Sequence, residues 1–216
     1  MGISAGKSKH HEEGDNNVFW TTMSDLMLGL AIIFMTLFVL AMTGFTQETV
    51  ELQQNQIKAS EQMAEKLKEA DIDAEVDKLT GNVKISDLQL FEVGSYTLSA
   101  KGKQYLDKFV PIYIETIFSN PALYENVVNV VVQGHTDSQM FKGLKSPTEQ
   151  FAKNMELSLL RANAVEQYMF KTAYDKKYDE TLRKMITVEG KSFSEPVLTA
   201  DGKEDLAKSR RVELKL

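Results

Sequence analysis

The sequence predicts a single N-terminal transmembrane helix followed by an α/β domain, a βαβαββ sandwich with helices over a mixed sheet. Two observations carry that expectation. Leu26–Thr46 is a run of 21 residues without a charge, long enough to cross a hydrocarbon core of about 30 Å at ~1.5 Å per residue. From about residue 80 the hydrophobic pattern then alternates between the period of strands and that of helices.

Residues 1–17 hold Gly, Ser, Lys, His and acids without an apolar period and are expected to be disordered. Residues 18–46 form the span. It is longer than the ~7–15-residue core of a signal peptide and lacks a small-residue cleavage site, so it reads as an uncleaved anchor. Residues 47–79 read as a helical linker. Its first part, 47–70, has no Gly or Pro and is rich in Gln, Glu, Lys and Ala. Val50, Ile57, Ala64 and Leu67 approximate a heptad seam that Gln53 and Ser60 interrupt. The acidic stretch Asp71–Asp77 is expected to hinge.

Residues 80–216 form the α/β domain. Val83–Leu90 alternates as a half-buried strand does. Ser99–Phe118 is predicted helical, capped by Ser99, with Leu106, Phe109, Val110, Tyr113, Ile114 and Ile117 on one face and a kink at Pro111. Val127–Gln133 is a β-branched run suited to a central strand. Glu156–Ala173 is an amphipathic helix carrying Leu157, Leu160, Ala164, Val165 and Tyr168. Met185–Glu189 and Arg211–Leu216 supply the last two strands.

Composition closes several functional classes. Net charge is −6, which disfavours nucleic-acid binding. There is no cysteine, which excludes disulfides and thiolate metal sites. His10-His11-Glu12-Glu13 lacks the spacing of a metal site, so none is expected. No nucleophile elbow, metal-binding helix or phosphate loop is present. His135 before a turn reads as structural. The chain is therefore not expected to be an enzyme, and no catalytic residue is named.

Asp25 is the one charged residue between Asp15 and Glu48. It heads the span in Trp20-Thr21-Thr22-Met23-Ser24-Asp25-Leu26-Met27. A carboxylate in such a segment costs about 2.5–3.5 kcal/mol by insertion scales, and such residues mark ion paths and proton relays. Ser24-Asp25 also suits the N-terminus of a membrane helix starting at Leu26. Position alone supports both readings.

Three ordered motifs occupy the C-terminal domain: Gly134-His135-Thr136-Asp137, then Asn154-Met155-Glu156-Leu157-Ser158-Leu159-Leu160-Arg161-Ala162, then Ser209-Arg210-Arg211-Val212-Glu213. With Leu90-Phe91-Glu92-Val93-Gly94-Ser95 ahead of them, they resemble the OmpA/MotB family of peptidoglycan-binding domains over about residues 80–216. The resemblance implies an OmpA-like fold and a site for the zwitterionic end of diaminopimelate. A planar guanidinium suits the carboxylate, and an acid accepts from the ammonium. It assigns Asp137 to the ammonium and Arg161 to the carboxylate, with Thr136, Asn154, Leu157 and Arg211 lining or bracing the pocket. The sequence departs from the family in an extra loop at 141–150 and in Ser209, where asparagine is common.

A wall-binding domain behind a span that holds an acid is the layout of ion-driven stator B subunits. Trp20–Met27 resembles the corresponding MotB segment. Within the family the chain is most similar to the B subunits of the Zorya anti-phage systems, with the flagellar MotB type next and a passive wall tether as the competing class. The resemblance implies an ion-translocation path of Asp25, Thr21, Thr22 and Ser24 for transported H+ or Na+, with no other cofactor. Gly29, one turn on, permits close helix approach. The implied partners are a second copy in a homodimer, five MotA/ZorA-like membrane subunits, and peptidoglycan. The implied location is the inner membrane, with residues 1–17 cytoplasmic and the C-terminal domain periplasmic.

Overall fold

A computed structural model describes residues 9–216 apart from 93, 125, 126, 142 and 145. The chain divides into two compact units, Met1–Glu51 and Leu52–Leu216. The first is the membrane-grade part of helix α1 (Lys9–Glu69), which runs on into the second unit. The expected disorder of residues 1–17 is corrected over its second half, since the helix reaches back to Lys9; residues 1–8 lie outside the described residues. The helix is long and apolar enough to cross a membrane, and no residue of its apolar window is buried.

In the second unit the end of α1 is not a free linker. Ala59, Ser60, Met63 and Leu67 are buried, spaced three and four residues apart, as one face of a docked helix must be. Of the expected heptad Val50, Ile57, Ala64 and Leu67, only Leu67 is buried; Ile57 and Ala64 are half-buried and Val50 is exposed, while Ala59 and Met63 take the contact. The acidic hinge is likewise corrected in part. It contains β1 (Glu75–Val76), an edge strand paired antiparallel with β2 (Val83–Ser86).

The expected strand Val83–Leu90 ends early. After Ser86 the chain turns into the one-turn helix α2 (Asp87–Leu90). Helix α3 (Ala100–Ser119) starts where expected, with the Ser99 hydroxyl accepting from the Gly102 N–H. Pro111 sits inside it without ending it, and all six residues of its predicted apolar face are buried. After α4 (Pro121–Tyr124) come β3 (Val130–His135) and α5 (Pro147–Met169). Helix α5 begins well before the expected Glu156, because Ser146 caps it and Pro147 takes its first turn. A 3-10 turn (Lys176–Tyr178), α6 (Asp179–Met185), β4 (Ile186–Gly190), α7 (Leu206–Ser209) and β5 (Arg211–Lys215) complete the domain.

The sheet order is β1-β2-β5-β3-β4. β3 and β4 are parallel, and the other pairs are antiparallel. One sheet face carries Val83, Ile85, Val130, Val132, Val212 and Leu214 into a core shared with α3, α5 and the end of α1. Alternation turns Gln133, His135, Arg211 and Glu213 to the other face.

Candidate functional site

The first candidate lies on α1. Asp25 is helical on both sides, so no helix end exists there for it to cap. That removes the capping alternative. Thr21 stands four residues before Asp25 and Thr22 three, which puts both hydroxyls on its side of the helix. Thr21 Oγ1 donates to Asn17 O at 2.6 Å, and Thr22 Oγ1 reaches Val18 O and Phe19 O at 2.9 Å. Their protons are thus committed to the helix, and their oxygens face outward as acceptors. Ser24 lies about 100° around the helix from Asp25. A Cβ added at Gly29 would meet nothing within 4 Å, so that face is open to a neighbour.

The second candidate is a cavity of about 260 Å³ in the α/β domain. It gathers Thr136 and Asp137, at the end of β3 and just after it, with Asn154, Leu157 and Arg161 of α5. Glycines make this convergence possible. A Cβ at Gly134 would lie 2.0 Å from Ser158 O, and one at Gly190 would lie 2.8 Å from Ser158 Oγ. Helix α5 therefore settles onto β3 and β4 at Ser158, between Asn154 and Arg161. Its buried stripe Gln150, Asn154, Ser158, Ala162, Val165 and Met169 faces the sheet at helical spacing. Asn154 Nδ2 donates to Gln150 O, and Gln150 Nε2 donates to Gln139 O. The latter bond ties the stretch after Asp137 to the helix, whose first turn takes up residues 147–150 of the expected extra loop. Met140 and Phe141 of that stretch make an apolar wall with Leu88 and Leu157.

Two residues that the sequence reading missed complete the site. Asp87 opens α2 and is nearly inaccessible, with its side chain 3% exposed. Arg161 Nη1 pairs with Asp87 Oδ2 at 2.9 Å, Arg161 Nε donates to Ser95 O at 2.9 Å, and the guanidinium lies 5.4 Å from the centre of the Phe91 ring. Arg210 Nη1 donates to Asp137 Oδ2, and Arg210 Nε stands 3.7 Å from Asp87 Oδ1. The backbones are joined as well, Asp87 N donating to Arg210 O at 3.1 Å. Burial raises the Asp87 pKa against the opposing pull of Arg161 and Arg210, and burial lowers that of Arg161. The two acids and two guanidinia form a net-neutral cluster.

Arg211, expected in the pocket, does not line it. As the first residue of β5 it points to the opposite sheet face, where Nε pairs with Glu213 and Nη1 donates to Glu195 O and Ser209 O at 3.2 and 3.1 Å. Arg210, one residue earlier, takes the place expected of it. The doubled arginine hid this, because strand register decides which of two neighbours faces the cavity. Asp87 was hidden by reading its segment as a strand. Its signal was an acid amid the apolar residues that precede Leu90-Phe91. Ser209 Oγ accepts from Val197 N at 3.0 Å, a bracing role. Among the described residues no group of three or more His, Asp or Glu could hold a metal.

Comparison with known proteins agrees with the motifs. The OmpA family model matches residues 90–210. The Zorya protein ZorB of the Crooks strain of Escherichia coli is 30% identical over 98% of this chain and 92% of its own length. A second Escherichia coli protein named ZorB is 21% identical over 100% of this chain and 87% of its own length. Among solved structures, a MotB-like protein from Desulfovibrio vulgaris superposes with a TM-score of 0.53 at 21% identity. The match covers 76% of this chain and 91% of that one and bears on the fold alone.

Proposed function

Since the chain belongs to the OmpA family, in its ZorB-like branch, we propose that it is the peptidoglycan-anchored B subunit of an ion-driven rotary motor of the inner membrane, acting in Zorya anti-phage defence. The observation that carries this reading is the pairing of two features in one chain. An acid lies inside an apolar helix, and an acid–arginine cavity lies in the family's wall-binding domain.

The chemistry follows from those two places. Asp25 binds and releases a proton or Na+. Neutralising the carboxylate removes its desolvation penalty, so ion binding couples to the position of surrounding A-type subunits. The outward oxygens of Thr21 and Thr22, with the Ser24 hydroxyl, accept from a hydrated ion on its way. Two B chains stand inside a ring of five MotA-like subunits, with Gly29 allowing close approach. The domain lies in the periplasm, where Asp137 takes the ammonium and Arg161 the carboxylate of diaminopimelate. Thr136, Asn154 and Leu157 shape that cavity, and Arg211 braces β5 from behind. The wall holds the B dimer still while the ring turns.

The test is Asp25→Asn in the full chain, expressed with its A-type partner and the rest of the defence system. Phage protection should be lost while co-purification with the partner persists. Undiminished protection would leave a passive tether as the better reading.

A further inference from the structure

The geometry points to Arg210 as an exchangeable counter-ion, seated on Asp137 in the free protein and displaced onto Asp87 when a ligand's ammonium arrives. This inference rests on the peptidoglycan reading of the cavity and concerns how that cavity admits its ligand.

The two ends of the site are not equally open. Arg161 has five N–H donors, of which Nε serves Ser95 O and Nη1 serves Asp87. The rest of its fork is available to a carboxylate. Asp137 has both oxygens engaged, Oδ1 by the Gln139 N–H at 3.1 Å and Oδ2 by Arg210. An ammonium that pairs with Asp137 Oδ2 competes with the Arg210 guanidinium already seated there.

A seat for the displaced arginine already exists. Asp87 Oδ1 is buried and accepts no hydrogen bond. Arg210 Nε stands 3.7 Å from it, so a shift of about 1 Å makes a charge-assisted bond of ~2.8 Å. Burial raises the carboxyl's pKa, and a closer guanidinium would offset that cost. Arg210 is also the most exposed of the four charges, its side chain 27% accessible where Arg161 and Asp87 are at 3%. It is the member with room to move.

The exchange keeps every charge paired. Before binding the pairs are Asp137–Arg210 and Asp87–Arg161. Afterwards they are Asp137–ammonium and carboxylate–Arg161, with Arg210 joining Arg161 on Asp87. A ligand bearing only a carboxylate leaves Arg210 in place. One bearing only an ammonium expels Arg210 and gives Arg161 nothing. The device selects a zwitterion, and the Met140–Phe141–Leu157 wall receives the methylene chain behind it.

Calorimetry on the full chain in detergent, with a tripeptide ending in diaminopimelate, tests this. Arg210→Gln should tighten binding about three- to tenfold, since the competitor for Asp137 is gone. Asp87→Asn should weaken it, and adding Arg210→Gln to Asp87→Asn should restore it. Arg210→Lys keeps the charge without the fork and should tighten about two- to threefold. It serves if the glutamine variant does not fold. Unchanged or weakened binding in the folded Arg210 variants overturns the exchange and makes Arg210 a ligand contact or a bystander. The underlying reading fails separately, if neither wild type nor the Arg210 variants bind the tripeptide, or if Asp137→Asn leaves binding intact.

Discussion

His135 belongs to the same four-residue motif as Asp137 but faces away from the cavity, beneath the polar side of the sheet. It is nearly inaccessible, and neither ring nitrogen has a hydrogen-bond partner. Burial, aided by the neighbouring Arg211, drops its pKa to about 4 from an ordinary 6.5, against the pull of Glu213. Lys215 and Lys191 add to the drop. The unfolded chain takes up this proton below about pH 6.5 and the folded one only below about 4. Stability contributed by the neutral imidazole is thus lost as pH falls through that window, to a total of about 3 kcal/mol. Asp87, with a raised pKa, works in the opposite sense above pH 3.8 and trims the acid end of the slope. Glu213, with a lowered one, adds loss below 4.5. Thermal unfolding of His135→Leu at pH 7, 5.5 and 4 should show a shallower pH dependence than wild type; parallel curves would refute this account. At this scale the sequence was half legible. Asp137, Asn154, Leu157 and Arg161 stood in ordered motifs, and the structure brings them together. Asp87 and Arg210 did not announce themselves, because their roles depend on where a strand stops and on which of two arginines begins the next.

Secondary elements meet at Gly134, Gly190 and Ser158. Helix α5 touches the sheet so closely there that a side chain on either glycine would strike its backbone or the Ser158 side chain. Ser158 Oγ also accepts from the Ser192 N–H at 3.0 Å, fixing the turn after β4. A methyl at Gly134 has to push α5 outward at the point midway between Asn154 and Arg161. Gly134→Ala should therefore cost on the order of 1–3 kcal/mol as an overpacking change. It should also weaken tripeptide binding at least tenfold while leaving helix content unchanged. A variant with wild-type affinity by calorimetry would show that the approach does not set the site. Elements were easier to read than their ends. The core face of α3 followed from periodicity, whereas of the face expected on α5 only Val165 is buried, with Ala164 and Tyr168 packed beside it. The early start of α5 came from the Ser146 cap, β1 from a short antiparallel pairing with β2, and α2 is tied to the remote Arg210 backbone. The end of α1 was misread for a related reason. A heptad and a docking face differ by a fraction of a turn, and only the surface that receives the helix decides between them.

For the whole molecule, the expected span followed by an α/β OmpA-like domain is what the structure and the family match display. It was legible because both signals are long: 21 uncharged residues in one place and three ordered motifs in another. The cavity's own balance of two acids and two guanidinia has a kinetic side. A net-neutral site projects little field beyond the Debye length of about 10 Å, so capture of the tripeptide is not steered. It should proceed at an ordinary ~10⁵–10⁶ M⁻¹s⁻¹, and its rate should change less than about twofold between ~0.05 and ~0.5 M salt. A steep salt dependence in stopped-flow measurements would contradict this. Under the proposed wall-anchoring function the protein sits beside a continuous mesh, and the local concentration of repeating ligand is set by geometry. What such a tether needs is a long residence time, and a neutral, contact-range lock puts its selectivity into leaving slowly instead of arriving fast.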